Sequence, residues 1–154
     1  MQPQSFLKTL KIIHLALCGG LLLFATISFL QFDSTLIADS ESNLMLYLVP
    51  AVAVAGYFGS TYLFEKHIRK IKKDDSLVKK LQRYQSALVL QYAIIEGPAI
   101  LALMAYYTSG NALFLAIAAC MIVFLYSKKP SFQKLSAALP LSFEEQKQFD
   151  NLKH

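Results

Sequence analysis

The chain has 154 residues, of which 55% are hydrophobic and only 16% charged, with a formal net charge of +5 and a mean hydropathy of +0.43. That length suits one compact domain and is too short for two of ordinary size. Soluble domains carry about a quarter charged residues, so the balance favours a lipid environment. The excess positive charge does not point to nucleic acid, because the basic residues flank apolar runs and no zinc-type cysteine cluster or glycine-rich phosphate loop accompanies them.

The first apolar run, 12–32, follows Lys8 and Lys11. It is too long for the apolar core of a cleaved leader, and no small-x-small pattern follows it, which predicts a retained membrane helix. His14 and Cys18 share one face near its start. One histidine and one cysteine do not make a zinc site, so no metal is expected, and His14 reads as a hydrogen-bonding residue. Gly19 and Gly20 offer space for a neighbouring helix. Cys120 also lies inside an apolar run, and the two cysteines have no CxxC spacing, which argues against a disulfide framework. The second run, 44–64, carries a small-residue ridge of Ala51, Ala55 and Gly59 with Gly56 and Ser60 beside it, a device for close helix approach.

Between the second and third runs lie Lys66, Arg69, Lys70, Lys72, Lys73, Lys79, Lys80 and Arg83, interrupted by Asp74-Asp75-Ser76. The aspartates and serine predict a turn, with helices continuing on either side of it. The basic cluster suits anionic lipid headgroups or a partner. A 4-3 spacing of Leu77, Leu81, Tyr84, Leu88, Gln91, Ile95 and Pro98 marks a packing seam, and Gln91 on it reads as an interhelical hydrogen bonder. The third run, 87–107, is joined through Thr108-Ser109-Gly110 to a shorter fourth run, 111–127, which predicts a tight helical hairpin turning at Gly110-Asn111. Ala112, Ala116 and Cys120 repeat the small-residue device. The tail, 130–154, forms two short amphipathic pieces, the first capped by Ser131. The second opens with the capping box Ser142-Phe143-Glu144-Glu145, and Phe143 and Phe149 are expected to touch the membrane surface or the middle loop.

Three runs of about 20 residues each match about 30 Å of hydrocarbon, and the shorter fourth is expected to fit by local thinning or snorkelling. In a four-span arrangement all fifteen lysines and arginines fall on one side, whereas the opposite loops carry only Asp33, Asp39 and Glu41. The excess of basic residues on cytoplasmic loops then predicts both termini in the cytoplasm. The expected fold class is an all-α polytopic membrane four-helix bundle, with a transmembrane domain over 1–129 and a cytoplasmic tail over 130–154. Aligning 14–24 with 91–101 pairs Ala16 with Ala93 and Gly20 with Gly97, which raises the possibility of two parallel hairpin repeats.

Glu96 is the one acidic residue inside an apolar run, near mid-depth, where a charge is expensive and commonly functional. Pro98 cannot donate to the Ile94 carbonyl, so that oxygen is left for a protonated Glu96, a water or a cation. Tyr92 lies one turn earlier on the face of Glu96. Interrupted helices beside a mid-membrane carboxylate recur in ion sites. A neutral glutamic acid that bonds a neighbouring helix is the alternative, and with no basic partner or second acid at that depth it is favoured. No catalytic triad, paired catalytic carboxylates or redox motif is present, so neither an enzyme nor a cofactor is expected.

Lys11-Ile-Ile-His14, Glu96-Gly97-Pro98 and Lys129-Pro130-Ser131 before Leu141 and Glu144-Glu145 resemble an uncharacterised family of small four-helix bacterial membrane proteins. The resemblance spans most of the chain and implies a bacterial inner membrane, but carries no activity. The length, two hairpins and single membrane glutamate are also similar to the duplicated proteolipid c subunits of rotary ATPases. This chain departs from them in placing Glu96 on the first helix of its hairpin and in lacking their dense glycine ladder, so their ion-carrying role does not transfer to Glu96. The resulting expectation is a non-enzymatic structural or accessory subunit that packs into an oligomer or a larger membrane complex, with anionic lipids at its basic side. Proton- or cation-linked transport through Glu96 is the alternative.

Overall fold

A computed structural model describes residues 3–31 and 43–151, which form six helices, with no strand among them. Helix α1 spans Pro3–Leu30 and begins well before the apolar run. The early start follows from Phe6, Leu7 and Leu10, whose one-turn spacing buries all three in the core. Proline is tolerated in a first turn, where its missing N–H would be unpaired anyway. Helix α2 spans Asn43–Ile68 and helix α3 spans Leu77–Ser109. The acidic loop with Asp33, Asp39 and Glu41 lies outside the described residues.

The α2–α3 turn falls at Asp74-Asp75-Ser76, as the sequence predicts, and Asp75 organises it. Its carboxylate accepts the Lys72 backbone N–H at 3.2 Å and pairs with Lys79 at 2.8 Å and Arg83 at 3.4 Å. The hydrogen bonds from Lys79 and Lys72, together with the nearby positive charges, hold the Asp75 carboxyl below its ordinary range. Ser76 occupies the cap position, but its side chain makes no capping bond.

Helix α3 is the centre of the fold. It packs on α1, α2 and α4, and its 33 residues give a length of about 50 Å. Its predicted seam is its buried face: Leu81, Tyr84, Leu88, Gln91, Ile95 and Pro98 are all buried, and Leu77 is half-buried at the start. The helix stops at Gly110, whose φ of 66° is left-handed and whose N–H bonds the Tyr106 carbonyl at 2.7 Å. Asn111 then caps helix α4, Ala112–Ser127, by accepting the Leu113 N–H at 3.0 Å.

Three helices, α1, α2 and α3, are long and apolar enough to cross a membrane. Helix α4 has only 16 residues, about 24 Å, and reaches that length only when joined to helix α5, Phe132–Ala138, across a 76° bend. Pro130 lies in that corner, where it cannot continue the α4 hydrogen-bond ladder. The α3–α4 hairpin is a packed pair. Helix α1, by contrast, packs chiefly on α3 and α4, and the α1–α2 pair is far less closely packed than the α3–α4 hairpin.

The tail belongs to the same core, with Leu135 and Leu139 buried in it. Ser131 caps α5 by accepting the Lys134 N–H at 3.2 Å. At helix α6, Phe143–Asn151, the capping box forms reciprocally: Glu145 accepts the Ser142 N–H at 2.7 Å, and Ser142 Oγ accepts the Glu145 N–H at 3.3 Å. Phe143 is exposed and does not reach the middle loop, while the Phe149 side chain lies outside the described residues.

Candidate functional site

Cross-helix hydrogen bonds bring the start of α1, the end of α2, the start of α3 and the end of α4 to one end of the fold. Arg83 donates to the Lys70 carbonyl at 2.9 Å across the α2–α3 turn. His14 is buried in α1, and its Nε2 lies 2.9 Å from the Leu125 carbonyl. A carbonyl only accepts, so the proton sits on Nε2. The Tyr92 hydroxyl, from α3, donates to the Lys128 carbonyl at 3.2 Å, and the His14 and Tyr92 rings pack 5.2 Å apart. The last carbonyls of a helix are short of donors: the Leu125 carbonyl takes the Lys128 N–H at 3.0 Å as well as His14, and the Lys128 carbonyl takes Tyr92, so α1 and α3 both bond the end of α4. Cys18 adds an Sγ contact at 3.8 Å to His14 Nε2. The sequence marks His14 and Tyr92 as polar groups in apolar runs. The acceptors are main-chain atoms, which no side-chain pattern reveals.

Glu96 lies one turn beyond Tyr92, half-buried, and makes no hydrogen bond or ion pair among the described residues. Its carboxyl is within electrostatic reach of Cys18, so it faces the α1 side of α3. Ile94 and Pro98 are each two residues away, about 200° around the helix, and face α2. There a Cβ built on Gly56 would lie 2.7 Å from Pro98 Cγ and 3.1 Å from the Ile94 carbonyl oxygen. The Ile94 carbonyl that proline leaves without a donor is thus covered by a glycine of α2. The structure does not bring it together with Glu96, and Tyr92 is engaged at Lys128.

The small residues divide sharply. Gly56 and Ser60 are buried on the α2 face that meets α3. Gly59, Gly19 and Gly20 have nothing within 4 Å of an added Cβ, and Ala55, Ala112 and Ala116 are exposed. Helix contact within the chain uses the face of Val49, Ala53, Gly56 and Ser60, offset from the Ala51, Ala55 and Gly59 ridge, because the α2 stripe on α3 follows 3-4 spacing. Gly19 and Gly20 look outward and do not border Glu96.

One member of the basic cluster differs from the surface patch that the sequence predicts. Lys80 is not a surface residue: its side chain is 1% exposed and its Nζ pairs with Glu145 at 2.8 Å, fastening α6 under α3. Lys66, Arg69, Lys70, Lys72, Lys73, Lys79 and Arg83 remain available to solvent to differing degrees. Gln91, expected to bond across helices, is instead buried without a hydrogen bond to any described residue. Among the described residues no three His, Cys, Asp or Glu side chains converge as metal ligands. Compared with known families, with curated proteins and with solved structures, the chain matches none of them.

Proposed function

We propose that the chain is an integral membrane protein of four spanning segments. Its basic end faces the cytoplasm, and it serves as a non-enzymatic structural or accessory subunit that self-associates or packs into a larger membrane complex. One observation carries this reading. Only 22% of the most apolar stretch of α1, and 22% of that of α2, is buried within the chain, against 50% for α3. Leu15, Leu23, Phe29 and Phe58 are among the large apolar side chains left outward. Water would not tolerate so continuous an apolar surface, whereas lipid or another subunit covers it. The outward-facing Gly19, Gly20, Ala55, Ala112 and Ala116 supply places where a second helix can approach closely. The short α4 is accommodated by local thinning of the bilayer or by its corner with α5. The resemblance to small bacterial membrane proteins supports an inner-membrane location. Purification in mild detergent with intact-mass measurement tests the assembly: a multiple of 17.2 kDa or a complex with other subunits is expected, and a strictly monomeric, partner-free chain would overturn it.

A second reading rests on Glu96. A half-buried carboxyl without a partner among the described residues, in the middle third of the central helix, suits proton- or cation-linked transport. Its separation from the Ile94 carbonyl and from the Tyr92 hydroxyl removes the ligands that the local sequence offers, which favours the structural reading. Flux in reconstituted vesicles, lost in Glu96→Gln, would reverse that preference.

A further inference from the structure

At the basic end, the last turns of α2, the first half of α3 and the α4–α5 corner enclose a cleft of about 470 Å³. Two lining side chains are unusual. Gln91 is 3% exposed and Tyr84 2% exposed, yet neither polar group hydrogen-bonds to any described residue. Buried side-chain polar atoms are bonded in the large majority of cases. Among the described residues only Ser28 Oγ is both sealed from solvent and unpartnered, so the Gln91 amide and the Tyr84 hydroxyl are not sealed. Their remaining exposure is to the cleft they line.

The same cleft is lined by Lys128 and Lys134. Partial burial, and then the charge of Lys134, push the Lys128 amine below its ordinary range, against a smaller opposing effect of Glu65. Lys134 donates to the Ser127 and Lys129 carbonyls, which leaves one of its three N–H groups over. Glu65 also borders the cleft, but it shares its charge with Arg69 at 3.4 Å. The remaining wall is apolar, with Phe64 and Leu88 running toward the apolar lengths of α2 and α3. The cleft therefore combines surplus positive charge, two unsatisfied neutral hydrogen-bonding groups and an apolar wall.

We propose that this cleft holds the head of one anionic phospholipid. The phosphate lies at Lys128 and Lys134, the ester or glycerol oxygens meet Gln91 and Tyr84, and the first acyl carbons lie along Leu88 and Phe64. The site is separate from the basic α2–α3 turn. It rests on the membrane reading above, because that reading puts this end of the helices at headgroup depth. A free phosphate shares the charge chemistry but leaves the apolar wall unused.

The test is native mass spectrometry of the detergent-purified protein given phosphatidylglycerol, phosphatidylcholine or sodium phosphate. One phosphatidylglycerol per chain is expected to survive release from the micelle, with phosphatidylcholine retained about tenfold less. Gln91→Leu combined with Tyr84→Phe, and separately Lys128→Ala combined with Lys134→Ala, each reduce that retention about tenfold, whereas Lys66→Ala combined with Lys70→Ala leaves it unchanged. Should the first pair fail to fold, the Lys128–Lys134 pair still decides the matter. Equal retention by wild type and the lysine pair would overturn the site, and displacement of the lipid by millimolar phosphate would overturn the lipid as its ligand. Release of the chain from membranes by alkaline carbonate would instead overturn the membrane reading, independently of retained mass.

Discussion

Gly56 on α2 lies so close to Pro98 on α3 that one added carbon would come within 2.7 Å of the proline ring. The ring is rigid and the other neighbour, the Ile94 carbonyl, is main chain, so neither yields easily. Gly56→Ala is therefore expected to destabilise the α2–α3 pair by about 1–3 kcal/mol, the usual range for overpacking. Gly59→Ala meets nothing within 4 Å and gains about 0.5–1 kcal/mol from restricting the unfolded backbone. Thermal unfolding of both variants in the same detergent checks this. Equal midpoints would show that the crossing is looser than described.

The Lys80–Glu145 pair gives the α6 contact a pH dependence. Burial raises the Glu145 carboxyl, but the hydrogen bonds from Lys80 and from the Ser142 N–H outweigh it, and the net direction is down. A lowered folded-state pKa contributes stability above the unfolded value, near 4.3 for glutamate, and loses it as pH falls through the folded value. Docking of α6 should thus be constant from about pH 5 to 8 and weaken below about pH 4. Hydrogen exchange of the α6 amides measures this directly, and exchange independent of pH after correction for intrinsic rates would count against it.

Glu145→Gln leaves the Lys80 ammonium buried without its counter-charge. Breaking a buried pair from one side costs about 3–5 kcal/mol, an upper limit here because α6 can undock and release Lys80 to water. An amine-reactive reagent should leave Lys80 unlabelled in the native chain and modify it in the variant. Unchanged protection would mean that α6 is held by something other than this pair.

How much of this was legible in the sequence varied with the kind of atom involved. The α3 seam, the turns at Asp75 and Gly110 and the caps at Ser131 and Ser142 depend on local spacing and side-chain chemistry, and each is where the sequence puts it. The face by which α2 packs was not legible, because small residues at 51, 55 and 59 and at 53, 56 and 60 form two adjacent ridges of similar composition. Only the position of Pro98 across the interface selects the second. Lys80 looked like its basic neighbours because its partner, Glu145, is 65 residues away. The end of α4 was hidden for a different reason: His14 and Tyr92 bond main-chain carbonyls, which leave no mark in composition.

His14 offers a fourth prediction. Replacement by alanine removes one of two donors to the Leu125 carbonyl, which keeps the Lys128 N–H, and opens space beside the Tyr92 ring; the lost bond costs about 0.5–1.5 kcal/mol. Nitrogen-15 spectra of labelled histidine should show the Nε2–H tautomer in the native protein. The Nδ1–H form would contradict the assigned bond.

The central claim is that the helices cross a membrane with the basic end in the cytoplasm. Three long apolar helices and the joining of His14, Tyr92 and Arg83 to the ends of their neighbours motivate it. The most direct measurement uses a reporter enzyme active only outside the cytoplasm, fused at successive positions of the full chain. It should be silent after Lys73 and after the C-terminus, and active when inserted within 33–43. Strong activity after Lys73, or silence within 33–43 from a stably produced fusion, would contradict the arrangement.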